Sequence, residues 1–154
     1  VLGDYLLANT QLQMNLLVRS MPSLPANTVI TVKPHPAFPI NPADYHDLDM
    51  TVTMEPIAKL LTECDVAYSS AVTSAAVDAY CAGVPVVSVL DPNTLNLSPL
   101  RGCAGVLFAI TPEDLAAALT SMAVAPHTRD DRQKFFTIDP ELPRWRKLIM
   151  NSLA

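Results

Sequence analysis

Positive charge is in short supply: ten Lys and Arg stand against fifteen Asp and Glu, for a formal net charge of −5. No basic block exists that could track a phosphate backbone, which argues against nucleic acid as a partner. Long apolar runs are also missing; none approaches the ~20 residues that span a bilayer, and no basic segment leads into an apolar stretch with a cleavage-type site. The visible sequence is therefore expected to be soluble. Cysteine is scarce and odd in number. Cys64, Cys81 and Cys103 lie far apart in apolar surroundings, which suits reduced core thiols in a reducing cytoplasm better than disulfides or a metal site. Internal repeats, low-complexity segments and metal-binding motifs are absent.

What is present is a chain of 154 residues, half of them apolar, enough for one domain with a sizeable core. Val1-Leu2-Gly3-Asp4 reads as the end of a strand running into a loop, so the chain is expected to begin inside a longer protein. Leu12, Leu16, Leu17 and Met21 recur at helical spacing until Pro22 and Pro25, predicting a helix over 9–21. The β-branched run 28–32 is a strand that enters the rigid corner Lys33-Pro34-His35-Pro36. Residues 37–49 read as loop, with one helical turn around 43–47. A strand over 50–54 precedes a helix marked by Ile57, Leu60, Leu61 and Cys64 and opened by Glu55-Pro56. Then come a strand over 65–68, a polar turn over 69–74, an alanine-rich helix over 75–81 closed by Gly83, and a buried strand over 85–90. A polar loop over 91–101 leads to a strand over 105–110. Thr111-Pro112-Glu113-Asp114 caps a helix that turns Leu115, Leu119 and Met122 to the core. Residues 127–133 read as linker, followed by an aromatic-rich tail (Phe135, Phe136, Ile138, Leu142, Trp145) with a helix near 144–153. Strands alternating with helices predict an α/β fold, a Rossmann-like three-layer α/β/α sandwich with a mostly parallel sheet.

Ligands of open parallel sheets bind beyond the carboxyl ends of the strands, which directs attention to four loops. Lys33 and His35 form a cationic corner suited to a phosphate or to proton transfer, although a histidine satisfied at a strand end is the plain alternative. Ser69, Ser70, Thr73 and Ser74 precede or open a helix, where backbone N–H groups attract anions; a single capping hydroxyl would explain them equally. Asp78, on the second turn of that helix, is either solvated or aimed at ligand hydroxyls. Arg101 closes a loop long and polar enough to contact a sugar or phosphates. His46 and His127 read as solvated, and Trp145 as a packing anchor.

The run from Ser69 to Val87, with its hydroxyl-rich turn, Asp78 and Ala82-Gly83-Val84-Pro85, resembles the donor-binding signature in the C-terminal lobe of GT-B glycosyltransferases. Lys33-Pro34-His35-Pro36 is similar to an element of bacterial surface-polysaccharide and teichoic-acid polymer transferases of the same architecture. The likeness covers roughly residues 28–122. It implies a transferase lobe over 1–126 that binds a nucleotide-activated sugar as substrate, with no separate cofactor or metal, for bacterial surface carbohydrate biosynthesis. By the same resemblance Asp78 would meet the ribose hydroxyls, and Lys33 and His35 the donor phosphates. Two departures stand out: an aspartate where the family carries glutamate, and Ser69-Ser70-Ala71 where it carries a glycine-rich turn. The acceptor and its general base would belong to a missing N-terminal lobe. Residues 127–154 would pack on this lobe or cross back to that one, and the missing part would supply any peripheral contact with the inner membrane. A nucleotide-sugar 2-epimerase lobe and a non-catalytic binding or assembly module are the alternatives.

Overall fold

The computed structural model describes residues 1–124 and 141–152. It is an α/β fold whose strands pair only in parallel. The first helix, α1 (Leu7–Ser20), buries Thr10, Gln13, Met14 and Leu17 at helical spacing and gives way to a 3-10 turn at Met21–Ser23, where Pro22 cannot continue it. Leu12, expected inside, is part-exposed. β1 (Ile30–Val32) stops at the Lys33-Pro34 corner, and a 3-10 turn at Pro42–Tyr45 is capped by the Asn41 side chain. β2 (Met50–Val52) leads to α2 (Ile57–Leu60), a single turn where the spacing had promised a helix reaching Cys64. The Thr62 hydroxyl donates to the Lys59 carbonyl at 2.7 Å, a side-chain bond that competes with helix continuation.

β3 (Ala67–Ser70) lies two residues later than the polarity pattern predicts. Ser69 and Ser70 belong to the strand, not to a turn, because buried partners satisfy both hydroxyls. Ser69 Oγ meets Ser88 Oγ at 3.0 Å across the ladder, and Ser70 donates to Asp4. α3 (Ser74–Cys81) is capped by Thr73. It ends in a Schellman turn: Gly83 donates to the Tyr80 carbonyl and Val84 to that of Ala79, both at 3.0 Å, with Gly83 at φ +90°. Only glycine adopts that angle without strain. β4 (Val86–Val89) is wholly buried, and β5 (Val106–Ala109) is followed by α4 (Pro112–Ala123). The last described element is α5 (Pro143–Ser152). The expected linker and the aromatic residues Phe135, Phe136 and Ile138 lie outside the described residues.

Two regular ladders, β1 with β2 and β3-β4-β5, are joined by the first residues of the chain. Leu2 bridges Lys33 on one side and Ser69 on the other, both in parallel. Its N–H donates to the Tyr68 carbonyl at 2.8 Å, while Lys33 donates to the Val1 carbonyl at 2.9 Å. Counting residues 1–3 as the first strand, the sheet runs 3-2-1-4-5-6 in chain order. Gly3 is what lets this segment lie so close to the next: a Cβ there would sit 3.0 Å from the His35 nitrogen and 3.1 Å from Pro34 Cα.

The core divides between the two faces of the sheet. On one, Met14 and Leu17 of α1 and Leu115 of α4 pack on Val32, Tyr68, Val87 and Val89. Leu119 and Met122 lie at its edge, half-buried. On the other, Ala76 and Ala79 of α3 pack on Leu2, Ala67, Val86 and Leu100. The three cysteines are free, with Cys64, Cys81 and Cys103 half-buried around this second cluster rather than at its centre. Connections to the left half of the sheet thus cover one face and those to the right half cover the other. The winding reverses between residues 1–3 and β3, which is the topological switch point of a doubly wound fold.

Candidate functional site

At the switch point, the turns that enter α1 and α3 diverge to opposite faces and leave a crevice at the carboxyl edge of the sheet. A cleft of about 460 Å³ opens there, between Tyr5, Asn9 and Leu12 of the first turn and helix, Ser70 and Val72 of the second turn, and the loop that follows β4. The N-terminal dipole end of each helix carries a partial positive charge towards this edge, although at α3 the Thr73 hydroxyl and carbonyl already accept the Ala75 and Ala76 N–H groups, each at 3.3 Å.

The floor of the cleft is organised by Asp4, which the local sequence marks only as the end of a strand. Asp4 is wholly buried, and its carboxylate holds three donors. Oδ1 accepts from the Leu6 N–H at 2.8 Å, and Oδ2 accepts from Asn9 Nδ2 at 3.2 Å and from the Ser70 hydroxyl. The Asp4 N–H in turn donates to Thr10 Oγ1 at 3.0 Å. One carboxylate therefore clamps the start of α1 to the end of β3. With the Ser70 proton committed to Asp4, the serine oxygen offers lone pairs rather than a donor to anything above it. An acid directly after Gly3 at a strand end, with Asn9 one turn on, was the available signal. Its partner Ser70 is 66 residues away, and no local pattern links them.

The predicted residues fall into distinct groups. Ser70 reaches the cleft floor, while Thr73 is buried and accepts the Ala75 N–H at 3.3 Å as the cap of α3; Ser74 is exposed at the first position of that helix. Ser69 lies in the sheet with its hydroxyl engaged by Ser88. Lys33 turns away, its Nζ reaching the Met54 carbonyl at 3.5 Å beyond the end of β2. His35 stands behind the cleft wall, its ring edge-on to Tyr5 at 6.5 Å and 64°. Its Nδ1 accepts the Ala37 N–H at 3.2 Å, which in the neutral ring leaves the proton on Nε2. Asp78 is exposed on the second turn of α3. Burial first, and then the Asp78 charge, pushes the nearby Cys81 thiol above its ordinary pKa, so this cysteine is a poor nucleophile. Arg101 is exposed and donates to the Asn96 carbonyl at 3.4 Å within its own loop.

Two further side chains hold the cleft floor from below. The Tyr68 hydroxyl donates to the Gln13 carbonyl at 3.0 Å, and Gln13 Nε2 donates to the Leu2 and Tyr68 carbonyls at 3.2 and 3.1 Å. Burial raises the Tyr68 phenol far above its usual range, fixing it as a donor. Among the described residues, the cleft walls carry no Lys, Arg or His; the one acid there, Asp91, accepts the Asn93 N–H at 2.9 Å. Among the described residues no three His, Cys, Asp or Glu gather as a metal site. Such an arrangement suits a ligand with a polar end met by backbone N–H groups and an apolar or planar body against Tyr5, Leu12 and Leu97. Compared with protein-family models and with curated proteins, the chain matches none, so its likeness to the transferases rests on the quoted residues alone.

Proposed function

We propose that this chain is the donor-binding lobe of a GT-B type glycosyltransferase acting in bacterial surface polysaccharide biosynthesis. The observation that carries the reading is the position of the 69–87 run: its strand ends at Ser70 on the switch-point cleft, and the turn through Ala71 and Val72 that leads into α3 lines that cleft. A volume of about 460 Å³ falls within the range of small-molecule sites. In this reading the N–H groups opening α3 meet the donor diphosphate and stabilise it as the leaving group when the sugar–phosphate bond breaks. Asp78 accepts hydrogen bonds from the ribose diol, and the acceptor with its base comes from a partner lobe.

The test is calorimetric titration of the full-length protein with nucleoside diphosphates, paired with Asp78→Ala. A charge-assisted hydrogen bond contributes on the order of 1.5–3 kcal/mol, so the variant is expected to bind roughly 10- to 100-fold more weakly. Its melting temperature should stay unchanged, because the Asp78 side chain is exposed and fills no core position. Equal affinity in both proteins would remove Asp78 from the site. One observation favours a second reading, a binding module without turnover: among the described residues no cationic side chain lines the cleft. Absence of nucleotide binding by the full-length protein decides for that alternative.

A further inference from the structure

α5 stands apart from the cleft in both chemistry and exposure. Its ten residues include Arg144, Arg146 and Lys147 and no acid. Residues 1–124, by contrast, carry eleven Asp and Glu against four Lys and Arg. The three cations sit in the first half of the helix, at the positive end of its dipole, where they oppose helix formation. An anion outside the helix relieves that conflict. Arg146 has a partner in Glu141 at 3.4 Å, but the pair is largely solvated and neutralises little.

The other side of α5 is apolar. Trp145, Leu148 and Ile149 follow i, i+3, i+4 spacing and are 62%, 58% and 55% exposed. Trp145, expected to anchor packing, is exposed in the described structure. A ten-residue helix is only ~15 Å long, and its stripe cannot supply the roughly 800 Å² that each partner of a standard protein interface buries. A lipid surface sets no such threshold, since it takes an apolar stripe between acyl chains and cations among headgroups without fixed shape complementarity.

We propose that α5 is an interfacial helix for anionic lipid, with Trp145, Leu148 and Ile149 entering the acyl boundary and Arg144, Arg146 and Lys147 held at the phosphates. The acidic body is repelled by the same surface, so α5 makes the contact alone. Trp145 is the only tryptophan of the chain and reports directly. Full-length chain is mixed with vesicles of phosphatidylglycerol and phosphatidylcholine, or of phosphatidylcholine alone. Tryptophan emission should shift to the blue and the protein should co-sediment with the anionic vesicles only, with both effects reversed by salt.

Arg144→Gln/Arg146→Gln/Lys147→Gln should weaken partitioning on the order of 100-fold. Glutamine is as good a helix former, so circular dichroism should be unaltered. Ile149→Ser should weaken binding without altering its salt dependence. Three outcomes overturn the proposal: no shift and no co-sedimentation with anionic vesicles, equal binding to phosphatidylcholine alone, or emission that is already blue without lipid and follows protein concentration. The last would assign the stripe to a second copy. Nucleotide titration of the charge variant should match the unaltered protein, so this result and that of the cleft stand or fall separately.

Discussion

A carboxylate buried without a cation needs its lone pairs filled, and Asp4 meets that demand with an amide N–H, a carboxamide and a hydroxyl drawn from α1 and β3. Asn at this position keeps the shape but replaces an acceptor with an NH₂ group. That group would confront donors already aimed at the site. Asp4→Asn is therefore expected to cost about 3 kcal/mol in urea denaturation, with the loss of a fully satisfied buried network as the cause. Ser70→Ala removes one donor and should cost less, about 1–2 kcal/mol. A change below about 1 kcal/mol in the asparagine variant would mean that water replaces the clamp. At this scale the candidate site was only partly legible. Ser70 follows from its place after a strand, whereas Asp4 depends on a partner distant in sequence, and the contact of Lys33 with the Met54 carbonyl is set by how β2 ends, which no local pattern shows.

Elements with a cap were the easiest to read. Thr111 and Asp114 form a reciprocal capping box, Thr111 Oγ1 accepting the Asp114 N–H at 3.1 Å and Asp114 Oδ2 the Thr111 N–H at 3.2 Å. Both lie on the surface, so the box acts on α4 alone. Thr111→Ala should lower stability by about 1 kcal/mol, seen as a lower midpoint at constant slope in denaturant. Proline and glycine punctuation gave the ends of α1 and α3 for the same reason: the signal is carried by the residue itself. The start of β3 was missed by two residues because buried hydroxyls look like a turn until their partners are known. α2 proved shorter than its apolar spacing, since Ile57, Leu60 and Leu61 report which side faces the core and not how far the hydrogen bonding continues.

For the whole molecule, the alternation of strands and helices was enough for the fold class but not for the order of the sheet. Residues 1–3 are too short to score as a strand, yet they sit at its centre. The sheet should therefore open unevenly. β4 is wholly buried between β3 and β5, while β2 is an outer strand with Thr51 exposed. Hydrogen exchange by NMR should find the amides of Val86–Val89 exchanging only through global unfolding, and those of Met50–Val52 through local opening at least ~100-fold faster. Equal protection would mean that the two ladders unfold as a single unit. The central place of Leu2 also bears on the order of events during synthesis. Its partners Lys33 and Ser69 follow it by 31 and 67 residues. At about 5–20 residues per second, the middle of the sheet waits roughly 3–13 s after leaving the ribosome before both neighbours exist. Through that interval Leu2 and the apolar side of α1 have no finished layer to close on, which makes this stretch of the nascent chain the natural place for a chaperone to act.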